Sequence, residues 1–145
     1  MAKILIASDH AGFHLKEELK KYFTSEHEFI DFGPNSSDSV DYPDYAHILS
    51  QKISESKDSF GILICGSGIG MSMVANRYKD VRAALCLNEK MAQLSREHNN
   101  ANVLVLGSRL ISCEEAIKCL IMFFKSKFEG NRHQARLDKF NDVKM

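Results

Sequence analysis

Short apolar runs rich in β-branched residues alternate along the chain with longer segments of helical period, the pattern of repeated βα units around a parallel sheet. Strands are predicted over residues 3–8, 28–32, 60–65, 82–87 and 102–106. Leu15, Leu19, Tyr22 and Phe23 fall at i, i+4, i+7 and i+8 and mark the apolar stripe of a first helix. A second helix over 44–57 turns Tyr45, Leu49 and Ile53 inward, a third spans about 69–77 and a fourth 89–97. Ser112-Cys113-Glu114-Glu115 is a capping box that opens an apolar helix to about residue 128, and a last charged helix runs from Gly130 to the end. Residues 33–39 form a polar loop dense in turn residues and long enough to carry function. The predicted fold is α/β: a single doubly wound (Rossmann-like) five-stranded parallel sheet with helices on both faces and a C-terminal helical tail.

Composition narrows this picture. A chain of 145 residues, 44% hydrophobic, suits one domain over 1–145 with a real core. Lysine plus arginine (19) equals aspartate plus glutamate (19), so no overall charge draws the protein to nucleic acid or to an anionic membrane. The apolar runs are too short to span a bilayer and the start lacks the shape of a signal peptide, so a cytoplasmic location is expected. Cys65, Cys86, Cys113 and Cys119 include no Cys-x-x-Cys pair, which suits neither a zinc site nor, in a reducing compartment, disulfides. No cofactor and no metal are expected.

In such sheets ligands sit beyond the carboxyl ends of the strands. That rule selects Asp9 and His10 after the first strand, Cys65 to Gly70 after the third, Asn88 after the fourth, and Gly107-Ser108-Arg109 after the fifth. Gly66-Ser67-Gly68-Ile69-Gly70 lacks the third glycine of a dinucleotide fingerprint, because Met71 stands there, and no Walker A triplet occurs. What is left is a turn whose amides suit an anion or a developing oxyanion, or a tight βα turn with glycine for geometry alone. Cys65 at its head is either the last core residue of its strand or a thiol whose charged form a helix N-terminus favours. His98-Asn99-Asn100 reads as a helix C-cap or a second polar cluster. Arg132 and Arg136, four apart, share one helix face and form either a phosphate clamp or a solvated surface. His14, His27 and His47 fall in contexts that assign them no role.

Seven ordered segments carry a resemblance across nearly the whole chain. They are Ala7-Ser8-Asp9-His10-Ala11-Gly12, Asp41-Tyr42-Pro43, the run from Gly61 to Gly70, Ala75-Asn76, Ser95-Arg96-Glu97-His98-Asn99, Gly107-Ser108-Arg109, and Gly130-Asn131-Arg132-His133-Gln134-Ala135-Arg136. Together they resemble the family of ribose-5-phosphate isomerase type B and the related galactose-6-phosphate isomerase subunits. The resemblance implies metal-free interconversion of D-ribose 5-phosphate and D-ribulose 5-phosphate through an enediolate, in the pentose phosphate pathway.

In that reading Cys65 is the base and His98 the acid that opens the sugar ring. Gly66, Ser67, Gly68, Ile69 and Gly70 hold the enediolate oxygen, Asp9 and Asn99 bind hydroxyls, and His10, Arg109, Arg132 and Arg136 surround the phosphate. Met71, where another branch has glutamate, indicates the cysteine branch. Ser67 stands for a common threonine and Asn131 for a common glycine. The resemblance further implies a homodimer or dimer of dimers with sites shared between subunits. Galactose or allose 6-phosphate is the rival substrate. A non-catalytic nucleotide-binding module and a cysteine-nucleophile enzyme are the alternatives of another class.

Overall fold

Both faces of the central strands are apolar, which requires helices on both sides. The computed structural model describes residues 2–143 and has that arrangement. Strands β1 (Ala2–Ser8), β2 (His27–Asp31), β3 (Phe60–Cys65), β4 (Ala83–Leu85) and β5 (Val103–Gly107) form one all-parallel sheet in the order β2-β1-β3-β5-β4. The two-residue period of a strand divides the core. Ile4, Ile6, Ile62, Ile64, Leu104 and Leu106 pack under helices α1 (Phe13–Phe23), α4 (Glu89–Glu97) and α5 (Cys113–Lys125). Leu5, Ala7, Leu63, Cys65, Val103 and Val105 face α2 (Tyr42–Glu55) and α3 (Ile69–Ala75). The tail carries a short helix α6 (Arg132–Leu137).

The expected architecture is therefore present, with local differences. Tyr22 is 55% exposed, and the buried face of α1 instead takes in Lys16. Lys16 Nζ reaches Asp31 at 2.9 and 2.8 Å and the Pro34 carbonyl at 2.8 Å, so its charge is paired inside the fold. Strand β4 is shorter than its apolar run because it is an edge. There the Asn76 amide takes over the ladder, donating to Ala83 O at 3.0 Å and accepting from Ala83 N at 2.8 Å. Ser112 Oγ accepts from Glu115 N at 3.1 Å as the capping box predicts, yet α5 stops at Lys125. The tail is not helical to its end: α6 closes at Leu137, turns follow, and residues 144–145 lie outside the described ones. Among the described residues no helix is long and apolar enough to cross a membrane.

Candidate functional site

Three strand ends meet at the carboxyl edge of the sheet, and backbone hydrogen bonds stitch their loops together. Asp9 N donates to Ile64 O at 3.1 Å, Ser108 N to Cys65 O at 2.9 Å and Arg109 N to Gly66 O at 2.9 Å. Gly107 permits this closeness, since a Cβ there would stand 2.5 Å from Ser67 O and 2.6 Å from Ser67 C. Gly68 turns the chain into α3 with φ of 80°, a conformation that side chains resist.

Cys65, 5% exposed, ends β3 on the face toward α2 and α3. Its Sγ accepts a hydrogen bond from Gly68 N at 3.2 Å. Helix α3 is only 7 residues long, so the sulfur is met by one directed amide more than by a helix dipole. Ser67 Oγ accepts from Ile69 N at 3.2 Å, which leaves its own hydrogen free to donate. Asp9 Oδ1 accepts from Gly12 N at 3.0 Å and holds the acid at the turn after β1. His10 Nδ1 accepts from Val40 N at 3.2 Å, which assigns the proton of the neutral ring to Nε2 and ties the 33–39 loop to the site. The Arg109 guanidinium lies against Gly66, with Nη1 2.9 Å from where a Cβ would be.

Tyr42 also belongs to this edge: its ring lies where any side chain at Gly70 would go. Tyr42 lies in the segment Asp41-Tyr42-Pro43 that the resemblance includes but to which it assigns no role; Pro43 in the first turn of α2 helps set the start of the helix and with it the place of Tyr42. Asn88 is at the same edge as a helix cap, with Oδ1 accepting from Met91 N at 2.9 Å.

His98 and Asn99 are elsewhere. Helix α4 runs antiparallel to the strands, so its C-terminus lies at the amino edge of the sheet, about 15 Å away along β5 at 3.3 Å per residue. His98 caps the helix through its amide to Leu94 O at 2.9 Å, and Asn100 takes positive φ (47°), as the cap reading expects. Helix α6 packs against this same edge. An 820 Å³ cleft runs between Gln134, Leu137 and Asp138 of the tail and Arg82, Ala83 and Asn99. Arg132 and Arg136 are exposed on α6 and enter no ion pair among the described residues. Asn131 has the positive φ (50°) its glycine-like place requires.

One chain therefore brings together Asp9, His10, Cys65 to Gly70 and Arg109 at one edge, and His98, Asn99, Arg132 and Arg136 at the other. The remaining buried thiols are poor reagents: burial pushes Cys86 up to about 11 and Cys119 up to about 12. His133 is held below the usual histidine value by burial and by the charges of Arg132 and His98, with Glu129 opposing.

The profile of the Ribose/Galactose Isomerase family matches residues 4–140. Probable ribose-5-phosphate isomerase B of Mycoplasma genitalium is 48% identical over 139 residues, 94% of this chain and 91% of that protein. Ribose-5-phosphate isomerase B of Escherichia coli is 39% identical over 144 residues, 99% of this chain and 97% of that protein. The crystal structure of ribose 5-phosphate isomerase from Thermotoga maritima superposes with a TM-score of 0.94 at 51% identity, covering 98% of this chain and 99% of that one. The Mycoplasma genitalium enzyme with bound ribulose-5-phosphate superposes with a TM-score of 0.91 at 46% identity, covering 94% and 92%.

Proposed function

Because the chain belongs to the ribose/galactose isomerase family, we propose that it interconverts D-ribose 5-phosphate and D-ribulose 5-phosphate in one isomerase domain over 1–145. The observation that carries the reading is the sulfur of Cys65, held by Gly68 N at the head of a glycine turn shared with Asp9 and Arg109. Cys65 Sγ takes the proton from C2 of the open-chain aldose, and the C–H electron pair forms the C1–C2 double bond of the enediolate as the charge moves to O1. The hydroxyl proton passes from O2 to O1, and the same thiol returns its proton to C1 as the C2 carbonyl forms. No redox partner and no metal enters this balance. The hydrogen of Ser67 Oγ and the turn amides other than Gly68 N and Ile69 N, which already donate to Cys65 Sγ and Ser67 Oγ, receive the enediolate oxygen, and each such donor is worth about 2.7–4 kcal/mol in the transition state. Asp9 positions a sugar hydroxyl, and His10 and Arg109 meet the phosphate.

Ring opening needs an acid, and His98, with Asn99, Arg132 and Arg136, is on the opposite edge. A homodimer, alone or paired into a dimer of dimers, completes each site by laying the amino edge of one subunit on the carboxyl edge of the other. Exposed apolar side chains support this: Ile69 and Met73, four apart on one face of α3, and Leu87 and Leu110 in the segments that follow β4 and β5. The reaction belongs to the pentose phosphate pathway in the cytoplasm. A coupled assay with D-ribose 5-phosphate in the presence of a chelator tests the reading. Undiminished turnover is expected; a higher kcat/KM for galactose or allose 6-phosphate would contradict it.

A further inference from the structure

At the amino edge, the end of α4 and the tail bring three metal-ligating side chains together. Glu129 N donates to Glu97 O at 3.0 Å, which fixes this part of the tail against α4, and His133 N donates to Gly130 O at 2.9 Å within the tail's own turn. Glu129 Oε1 lies 3.5 Å from His133 Nε2 and 3.8 Å from His98 Nε2, too long for good hydrogen bonds. The three donor atoms all lie within 4.8 Å of one another. Donors on a tetrahedral zinc ion, with bonds of about 2.0–2.1 Å, stand roughly 3.3 Å apart. The His133 side chain is 8% exposed, and its Nε2 is buried with no hydrogen-bond partner and aimed into this cluster. Buried polar nitrogens are rarely left in that state.

We infer that His98, Glu129 and His133 bind a divalent cation of the zinc class, and that occupancy inhibits the isomerase by engaging the imidazole of His98. The inhibitory half rests on the proposed role of His98 as ring-opening acid; the binding half does not. Two imidazoles and one carboxylate form a three-ligand set that leaves a fourth position open, as zinc accepts. Two imidazole nitrogens select against magnesium and calcium, which take oxygen donors, and the charge of Arg132 beside the cluster weakens the binding of any dication. The two rings are stacked at 4.3 Å and 17° and must splay to share an ion. His98, whose side chain is 38% exposed, is free to turn, while His133 is held. The ion is an inhibitor and takes no part in the proton transfers.

Calorimetric titration of Zn²⁺ into the full chain with Cys65→Ser and Cys113→Ser removes competing thiols and reads the site directly. One ion per chain is expected, with affinity at least about tenfold weaker after His133→Asn or after Glu129→Gln. Circular dichroism confirms that each variant is folded, and the exposed Glu129 serves if His133→Asn is not. Binding that vanishes with the thiols, or that both substitutions leave unchanged, overturns the site. In the enzyme with Cys65 intact Zn²⁺ should abolish turnover of ribose 5-phosphate, a chelator should restore it, and Glu129→Gln should raise the Zn²⁺ concentration needed about tenfold. Inhibition that Glu129→Gln leaves unchanged belongs to the Cys65 thiol and overturns the inhibitory half. Full turnover at saturating Zn²⁺ overturns the inhibitory half. If turnover is absent even with chelator, the functional reading has failed, and the titration still decides the site.

Discussion

The two edges of the sheet are built by different means. At the carboxyl edge, Cys65 and its glycine turn are held by strand pairing and by amides of neighbouring loops, so their positions follow from the backbone. At the amino edge, His98 hangs from a helix cap and the arginines stand exposed on a short tail helix. The first is a pre-organised site for chemistry, where small displacements cost most. The second is a surface that becomes part of a site only when something is laid against it.

Cys65→Ala should show the largest effect, a loss of kcat of at least about a thousandfold with substrate binding retained, as expected for a missing proton carrier. Near-normal kcat in a direct assay would return Cys65 to the core. Gly107→Ala keeps every functional group but drives a methyl toward Ser67 O. It should cost about 1–3 kcal/mol in a urea titration, and turnover should fall roughly a hundredfold because the turn moves. Wild-type turnover would show that the turn is not tightly placed.

The support beneath this edge has a pH signature. Burial works against the charge on Asp31 but is outweighed by hydrogen bonds from Lys16, from Lys20 and from Gly33 N, which together hold its carboxyl below the ordinary range. A depressed carboxylate contributes stability that is fully present above its unfolded value, about 3.9, and is lost as pH falls through the folded value. Asp31→Asn should therefore lower the urea midpoint at pH 7 and change it little at pH 2. Equal losses at both would show that packing, not charge, is what Asp31 supplies. The smallest effects belong to the other edge. Arg132→Ala and Arg136→Ala should each raise KM for the sugar phosphate about tenfold with little change in stability. Unchanged KM would make both a solvated surface.

Much of this division was legible in the residues. Strands covered on both faces read as continuous apolar runs, so Ile62 to Cys65 and Val103 to Leu106 announced themselves, and the glycine turn after Cys65 marked its edge. Lys16 was hidden inside an apolar stripe, because a charge is buried only where a distant Asp31 waits for it. The extent of β4 depended on Asn76, whose amide replaces a strand partner. The edge of His98 could have been read, since a helix that follows one parallel strand must end at the start of the next. The rule that ligands sit beyond the carboxyl ends of the strands selects only the opposite edge. The nearness of Glu129 and His133 to His98 depends on how the tail folds back, which no periodicity records.

The claim that two edges from two chains make one site is tested by mixing two inactive variants. Cys65→Ala spoils only the carboxyl edge and His98→Asn only the amino edge, so random reassociation of subunits leaves one intact site in each mixed dimer. Activity on cyclic ribose 5-phosphate, negligible for either variant alone, should return to about a quarter of wild type after mixing. No recovery, with mixed dimers shown to have formed, would contradict the account.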